Sequence, residues 1–75
     1  MNEYRVGIKE HTSVKKYLAG LVNDGAMFSL NKEDALVFTN YAFACDMILY
    51  VDSHYLDEFD WFILYNSEIE ERYEL

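Results

Sequence analysis

The stretch that most constrains the fold runs from residue 39 to residue 65, where an aromatic-rich helix pattern precedes a strand that is apolar on both faces. Within residues 40–53, apolar side chains recur at helical spacing and form one stripe, which we expect to face the core. That stripe consists of Tyr41, Ala44, Cys45, Ile48 and Val51. Thr39 or Asn40 is expected to cap the helix, because a short side-chain oxygen can accept from an unpaired N–H of the first turn.

A second stripe on the same helix also lacks charge. It consists of Phe43, Met47, Tyr50 and His54, at spacings of four, three and four residues. A single helix packed on a single sheet does not easily bury two apolar stripes. The second stripe therefore predicts an exposed apolar surface.

The strand at residues 59–65 is apolar on both sides. Alternation places Phe59, Trp61, Ile63 and Tyr65 on one face and Asp60, Phe62 and Leu64 on the other. A helix can cover only one of these faces. The other face either meets loops or the chain terminus, or it is a partner surface, and thirteen aromatic residues among 75 favour the partner surface.

The amino-terminal half predicts further short strands. Residues 4–9 alternate like a strand, and residues 26–30 form another. Residues 14–22 fit either a strand or a helix capped by Ser13. The strand is favoured, because Gly20 inside a helix costs about 1 kcal/mol relative to alanine and the Asn-Asp-Gly sequence at 23–25 is typical of a tight hairpin turn. Residues 31–35 predict a single helical turn, with Asn31 as its N-cap and Asp34 near a capping-box position.

These elements predict an α+β fold, with a small antiparallel sheet of three to four strands and one main helix packed on it, in the order ββ(β)αβ. Residues 1–75 form one domain, since no linker, repeat or low-complexity segment interrupts them. The sequence of the charged tail at residues 67–75 fits either a frayed helix or an extension of the last strand. We expect it to be solvated and mobile.

The net charge of −8 is unevenly distributed along the chain. Residues 1–37 hold five acids and five bases, whereas residues 38–75 hold nine acids and a single base, Arg72. Such a surface repels nucleic acid and anionic membranes and attracts basic proteins. The competing explanation is that the acids keep an aromatic-rich domain soluble.

No residue set specifies a reaction. The two histidines, His11 and His54, lie in no metal-binding motif, and His54 with Asp57 and Glu58 gives only a weak metal signal. The single cysteine, Cys45, excludes an intramolecular disulfide and fits a reducing cytoplasm. No apolar run approaches the roughly 20 residues of a membrane span. We therefore expect a cytoplasmic, non-catalytic protein without cofactor or membrane segment.

A resemblance covers residues 16 to about 50. The Lys-Tyr-Leu-Ala-Gly segment at 16–20, the turn at 23–25, and the Asn-Lys-Glu-Asp-Ala-Leu-Val-Phe segment at 31–38 ahead of a helix resemble small proteins of phages and mobile elements of Gram-positive bacteria. Some anti-CRISPR proteins that block type II Cas9 nucleases are similar in size, in acidity and in having no catalytic residues. The carboxyl-terminal half departs from this pattern.

The resemblance implies an inhibitory protein that binds a basic nucleic-acid-binding protein, with Cas9 as one candidate, and that does not bind nucleic acid directly. Carboxylates along an edge can occupy arginines as phosphates do. The expected DNA-mimicking acids are Asp57, Glu58, Asp60, Glu68, Glu70 and Glu71, with Phe43, Tyr50 and Tyr55 as aromatic anchors. The alternative is a structural or assembly protein that forms a homodimer through its aromatic faces.

Overall fold

The structure is a computed structural model, and it describes residues 2–9, 14–23, 25–53 and 59–74. Within these residues the chain forms five strands, a short 3₁₀ turn and one α-helix, which confirms the predicted α+β class. The elements are β1 (Tyr4–Lys9), β2 (Lys15–Val22), β3 (Gly25–Ser29), the 3₁₀ turn (Lys32–Asp34), α1 (Tyr41–Asp52), β4 (Asp60–Tyr65) and β5 (Ile69–Tyr73). The strand count is higher than the three to four predicted.

The strands form one antiparallel sheet in the order β3-β2-β1-β4-β5. Residues 15–22 are a strand, as favoured, and the register of β2 with β3 shifts between Leu18 and Gly20. Val22 pairs with Gly25, so the chain reverses at the predicted turn, of which Asp24 lies outside the described residues. β4 lies between β1 and β5 and is therefore hydrogen-bonded along both edges.

The carboxyl-terminal tail differs from both sequence-based interpretations. It neither continues β4 nor forms a helix, because the chain turns at Asn66 and Ser67 and returns as β5, pairing Tyr65 with Ile69. Asn66 and Ser67 adopt positive φ angles of 49° and 60°, as a tight hairpin turn requires. Asn66 is also tied to the amino terminus, since its side-chain oxygen accepts from the Glu3 N–H at 2.8 Å.

The helix packs one stripe onto the sheet, as predicted. Ala44, Ile48 and Val51 are buried against a cluster from β1, β2 and β4. Asn40 is the cap, because its side-chain oxygen accepts from the Ala42 N–H at 2.8 Å. Tyr41 does not belong to the core stripe. It is 43% exposed and lies at the helix end, with its ring edge-on to another tyrosine ring.

The predicted cap of the 3₁₀ turn is wrong. The Asn31 side chain makes no capping hydrogen bond. Asp34 instead accepts a hydrogen bond from the Ser29 hydroxyl at 2.7 Å, and that hydroxyl also accepts from the Asn31 N–H at 3.1 Å. The Ser29 hydroxyl therefore connects Asn31 to Asp34, but it does not cap the turn.

The sheet has a helix side and an open face. On the helix side, Trp61 and Ile63 join Val6 and Ile8 in the main core. The Trp61 indole N–H is satisfied there, since it donates to the Asp52 carboxylate at the end of α1 at 3.0 Å. Phe62 and Leu64 point to the open face and are nevertheless buried.

The open face is covered by side chains of the sheet itself. The Phe62 ring lies over Gly7, where a Cβ atom would come within 2.5 Å of the ring. Tyr17 meets the same ring edge-on, with 5.7 Å between ring centroids. The ammonium groups of Lys9 and Lys15 each lie 6.0 Å from the ring centroid. Burial of Phe62 therefore does not require a partner.

Candidate binding surface

The predicted DNA-mimicking acids do not lie along one edge. Asp60 and Glu70 point to the open face, whereas Glu71 points to the helix side, because neighbours along a strand alternate. Glu68 lies in the turn before β5. Asp57 and Glu58, together with the predicted anchor Tyr55, lie outside the described residues.

Glu70 is engaged within the protein. Its two carboxylate oxygens accept from Lys9 at 2.7 Å and from Lys15 at 2.6 Å, joining β5 to β1 and β2. Burial opposes ionisation of this carboxyl, but the hydrogen bonds from Lys15 and Lys9 outweigh it and hold the pKa of Glu70 below its usual value. The hydrogen bond to Glu70 correspondingly raises the pKa of Lys15. Glu70 is thus a bridge between strands.

Further ion pairs link the other charges of this face. Arg5 pairs with Glu3 at 3.3 Å, and Arg72 lies 4.0 Å from both Asp60 and Glu74. Together with the Glu70 bridge, these contacts define an open-face network. Its members are four bases, Arg5, Lys9, Lys15 and Arg72, and four acids, Glu3, Asp60, Glu70 and Glu74. Their charges cancel, so the network itself carries no net charge.

The excess negative charge lies elsewhere. Outside the network, the described residues include six acids and only two bases. The acids are Glu33, Asp34, Asp46, Asp52, Glu68 and Glu71, and the bases are Lys16 and Lys32. Helix α1 carries two of the acids and no base. With Glu71, which points to the helix side from β5, three of these six acids lie on the helix or on the side of the sheet that it covers.

The helix side also exposes a groove, which we call the α1 groove. It has a volume of about 370 Å³ and is lined by Phe38, Phe43, Asp46, Met47 and Tyr50. Phe43 is 63% exposed and Tyr50 is 53% exposed, as the second helical stripe predicted. Four of the lining residues share one side of α1, because they lie at positions i, i+3, i+4 and i+7.

Asp46 and Phe38 were missed by the sequence-based list of site residues. Asp46 follows Phe43 by three positions, so helical spacing alone would have placed its carboxylate beside that ring. Phe38 gives no such signal. It reaches the groove because its backbone pairs with Tyr4 of β1, which brings the segment before α1 alongside the sheet.

Cys45 lies between two tyrosine side chains on the helix side. Burial raises the pKa of Tyr41 and that of Tyr73, and the neighbouring Cys45 thiol raises both further. The thiol is partly buried. Cys45 of α1 therefore lies beside Tyr73 of β5.

Within residues 2–9, 14–23, 25–53 and 59–74, no three His, Cys, Asp or Glu side chains converge as a metal site. The same part of the chain contains no helix long and apolar enough to cross a membrane. A second cavity, of about 220 Å³, lies between β4, β5 and Lys9 and is lined by members of the open-face network.

Comparison of the chain with known protein families, with curated proteins and with solved structures finds no match.

Proposed function

We propose that this chain is a non-catalytic inhibitory protein that binds a basic, nucleic-acid-binding protein and blocks it, and that it binds through the helix side of the sheet. The observation that supports this proposal is the segregation of charge. The open-face network cancels its own charge, whereas α1 combines exposed aromatic rings with acids and no base. A surface with acidic and aromatic groups suits a basic partner. Buried aromatic side chains supply much of the binding affinity, and opposite charges on the two proteins speed their association.

The position of this surface differs from that of the expected DNA mimic. Glu70 is bonded to two lysines, so its carboxylate is not open to a partner without breaking these ion pairs. Asp60 is exposed and lies 4.0 Å from Arg72, which offsets its charge. Glu71 points to the helix side and fits the proposed surface. The resemblance of residues 16–50 to phage inhibitors makes Cas9 the first partner to test.

A pull-down with three baits tests the proposal. The baits are the wild type, the variant Phe43→Ala/Tyr50→Ala, and the control Leu21→Ala/Val22→Ala, which also loses two exposed apolar side chains but away from α1. Lysate from a Gram-positive host that carries CRISPR nucleases is washed at low salt and at about 1 M salt, where the screening length falls to about 3 Å. Bound proteins are identified by mass spectrometry.

We expect the wild type and the control to retain a basic nucleic-acid-binding protein at low salt, and the Phe43/Tyr50 variant to lose it. The purified partner should then lose activity when the wild-type chain is added, as measured for Cas9 by cleavage of a DNA target. Recovery of the bait alone, eluting at twice its mass on a sizing column, would contradict the proposal. That outcome would favour the homodimer.

A further inference from the structure

The two edges of the sheet differ in charge. β5 forms one edge, and three of its five residues are charged, which is one way in which proteins keep an edge strand from pairing with another chain. β3 forms the other edge and has no charged residue. Among the described residues, no strand pairs with the outer side of β3. β3 is therefore the edge at which a strand from another chain meets no charged side chain.

The open face is uncovered beside this edge. Ser29 lies opposite Tyr17, whose ring contacts Phe62 on the open face. Met27, two residues before Ser29, therefore points to the open face as well, and it is 52% exposed. Its cross-strand neighbour is Gly20, where a Cβ atom would have no described neighbour within 4 Å. The side chain of Met27 thus has open space beside it.

Exposed apolar side chains continue at both ends of the edge. Val22, two residues after Gly20 on β2, is 49% exposed, and Leu30, directly after β3, is 66% exposed. Residues 17–22 and 25–30 contain no charged residue. An exposed apolar region of this kind usually marks an interaction site. We therefore expect the β3 edge to bind a protein strand.

The charge of the chain indicates which strand fits. Two copies with a net charge of −8 repel each other, so they can associate only where the contact itself is uncharged, as it is at β3. The charged strand β5 lies four strand spacings away, or about 19 Å at about 4.8 Å each. This distance exceeds the screening length of about 8 Å at physiological salt. A basic partner, in contrast, gains no electrostatic attraction from an uncharged edge.

We infer that β3 pairs antiparallel with β3 of a second copy of this chain about a twofold axis, so that the two sheets become continuous. Such a contact is self-complementary, because each copy presents the same uncharged strand. It brings the two Met27 side chains close to each other on the open face. The dimer leaves the helix side exposed, so the inference goes beyond the proposed function and does not depend on it. It also differs from a homodimer through the aromatic faces, which would cover Phe43 and Tyr50.

The test compares the wild type with three lysine variants by analytical ultracentrifugation, from about 1 μM to about 1 mM protein. Met27→Lys places a charge at the β3 edge. Ile69→Lys and Phe43→Lys are matched controls, because these residues are 59% and 63% exposed and lie in β5 and in α1. Each variant changes the net charge from −8 to −7, so only the position of the lysine differs. Urea unfolding followed by Trp61 emission verifies that each variant is folded.

We expect the wild type to dimerise and Met27→Lys to raise the dissociation constant by at least about tenfold, because two apolar side chains are lost from the contact and two ammonium groups repel across it. Ile69→Lys and Phe43→Lys should stay within about twofold of the wild type. Dilution should shift NMR signals of β3 and of the adjacent end of β2. Salt should tighten the dimer, since the charges nearest to β3 in sequence, Asp24 and those of residues 32–34, sum to −2 in each copy.

A wild-type chain that stays monomeric at about 1 mM would overturn the inference. A dimer that Met27→Lys leaves intact, equal weakening by either control, or shifts concentrated on α1 would overturn it as well. The result is separable from that of the pull-down. A β3 dimer with no basic protein recovered would support the inference and contradict the proposed function, whereas a monomeric chain that captures a basic protein would do the reverse.

Discussion

Gly7 lies beneath the Phe62 ring, and replacing it with alanine tests how the open face is packed. A Cβ atom at this position would lie 2.5 Å from Phe62 Cζ and 2.6 Å from the carbonyl oxygen of Lys16. The carbonyl belongs to the β2 backbone and cannot move without disturbing the pairing of β1 with β2. The ring is confined by Tyr17 and by the ammonium groups of Lys9 and Lys15. The added methyl group therefore has no free space.

Overpacking of this kind costs about 1–3 kcal/mol. A 75-residue domain has a total stability of only about 4–11 kcal/mol, from roughly 0.05–0.15 kcal/mol per residue. Each kcal/mol lost should lower the midpoint of thermal unfolding by about 4–8 °C in a domain of this size. We therefore expect Gly7→Ala to be folded but clearly less stable than the wild type.

Gly20 provides the matched control, because a Cβ atom there would have no neighbour within 4 Å. Gly20→Ala should be neutral or should stabilise the strand by about 0.5–1 kcal/mol. Urea unfolding of both variants is followed by the emission of the buried Trp61. Equal stability of Gly7→Ala and Gly20→Ala would refute the packing of Phe62 on Gly7, and with it the argument that the open face needs no partner.

Three further substitutions test the remaining contacts by the same unfolding assay. Glu70→Gln should cost about 0.2–1 kcal/mol at neutral pH. Folding lowers the pKa of Glu70, so its contribution to the free energy of unfolding is complete above the unfolded pKa of about 4.3 and is lost as pH falls through the lower folded pKa. The difference in stability between Glu70→Gln and the wild type should therefore vanish in acid. A difference that stays constant with pH would contradict the ion-pair assignment. Asp52→Ala should cost about 1–3 kcal/mol by leaving the Trp61 N–H unpaired, and should cost much less in a Trp61→Phe background. Asn40→Ala should cost about 0.5–2 kcal/mol through loss of the helix cap, whereas Thr39→Ala should not.

Local patterns were sufficient to predict the parts of this molecule that depend on neighbours in sequence. A cap at Thr39 or Asn40, the burial of Ala44, Ile48 and Val51, and the exposure of Phe43 and Tyr50 all follow from helical spacing and hydrogen-bonding chemistry. The strand within residues 14–22 was favoured because Gly20 disfavours the alternative helix and the Asn-Asp-Gly sequence favours a hairpin turn. These features depend on interactions within one element.

Features that depend on strand order could not be predicted in this way. Alternation alone indicates that Glu70 and Glu71 point to opposite faces, but the lysines that bind Glu70 come from β1 and β2, which the sheet order brings beside β5. The fifth strand was missed because Asn66 and Ser67 must adopt positive φ angles, for which Asn-Ser is a weaker signal than Asn-Gly.

The location of the binding surface is tested most directly by two double variants that each remove two negative charges. Asp46→Asn/Glu71→Gln neutralises acids of the helix side, and Asp60→Asn/Glu74→Gln neutralises acids of the open face. The dissociation constant for the purified partner, beginning with Cas9 bound to guide RNA, is measured by calorimetry. We predict that the helix-side variant binds about tenfold more weakly, a loss of about 1.4 kcal/mol, and that the open-face variant binds within about twofold of wild type. Equal weakening of both variants, or a larger loss in the open-face variant, would contradict a helix-side surface.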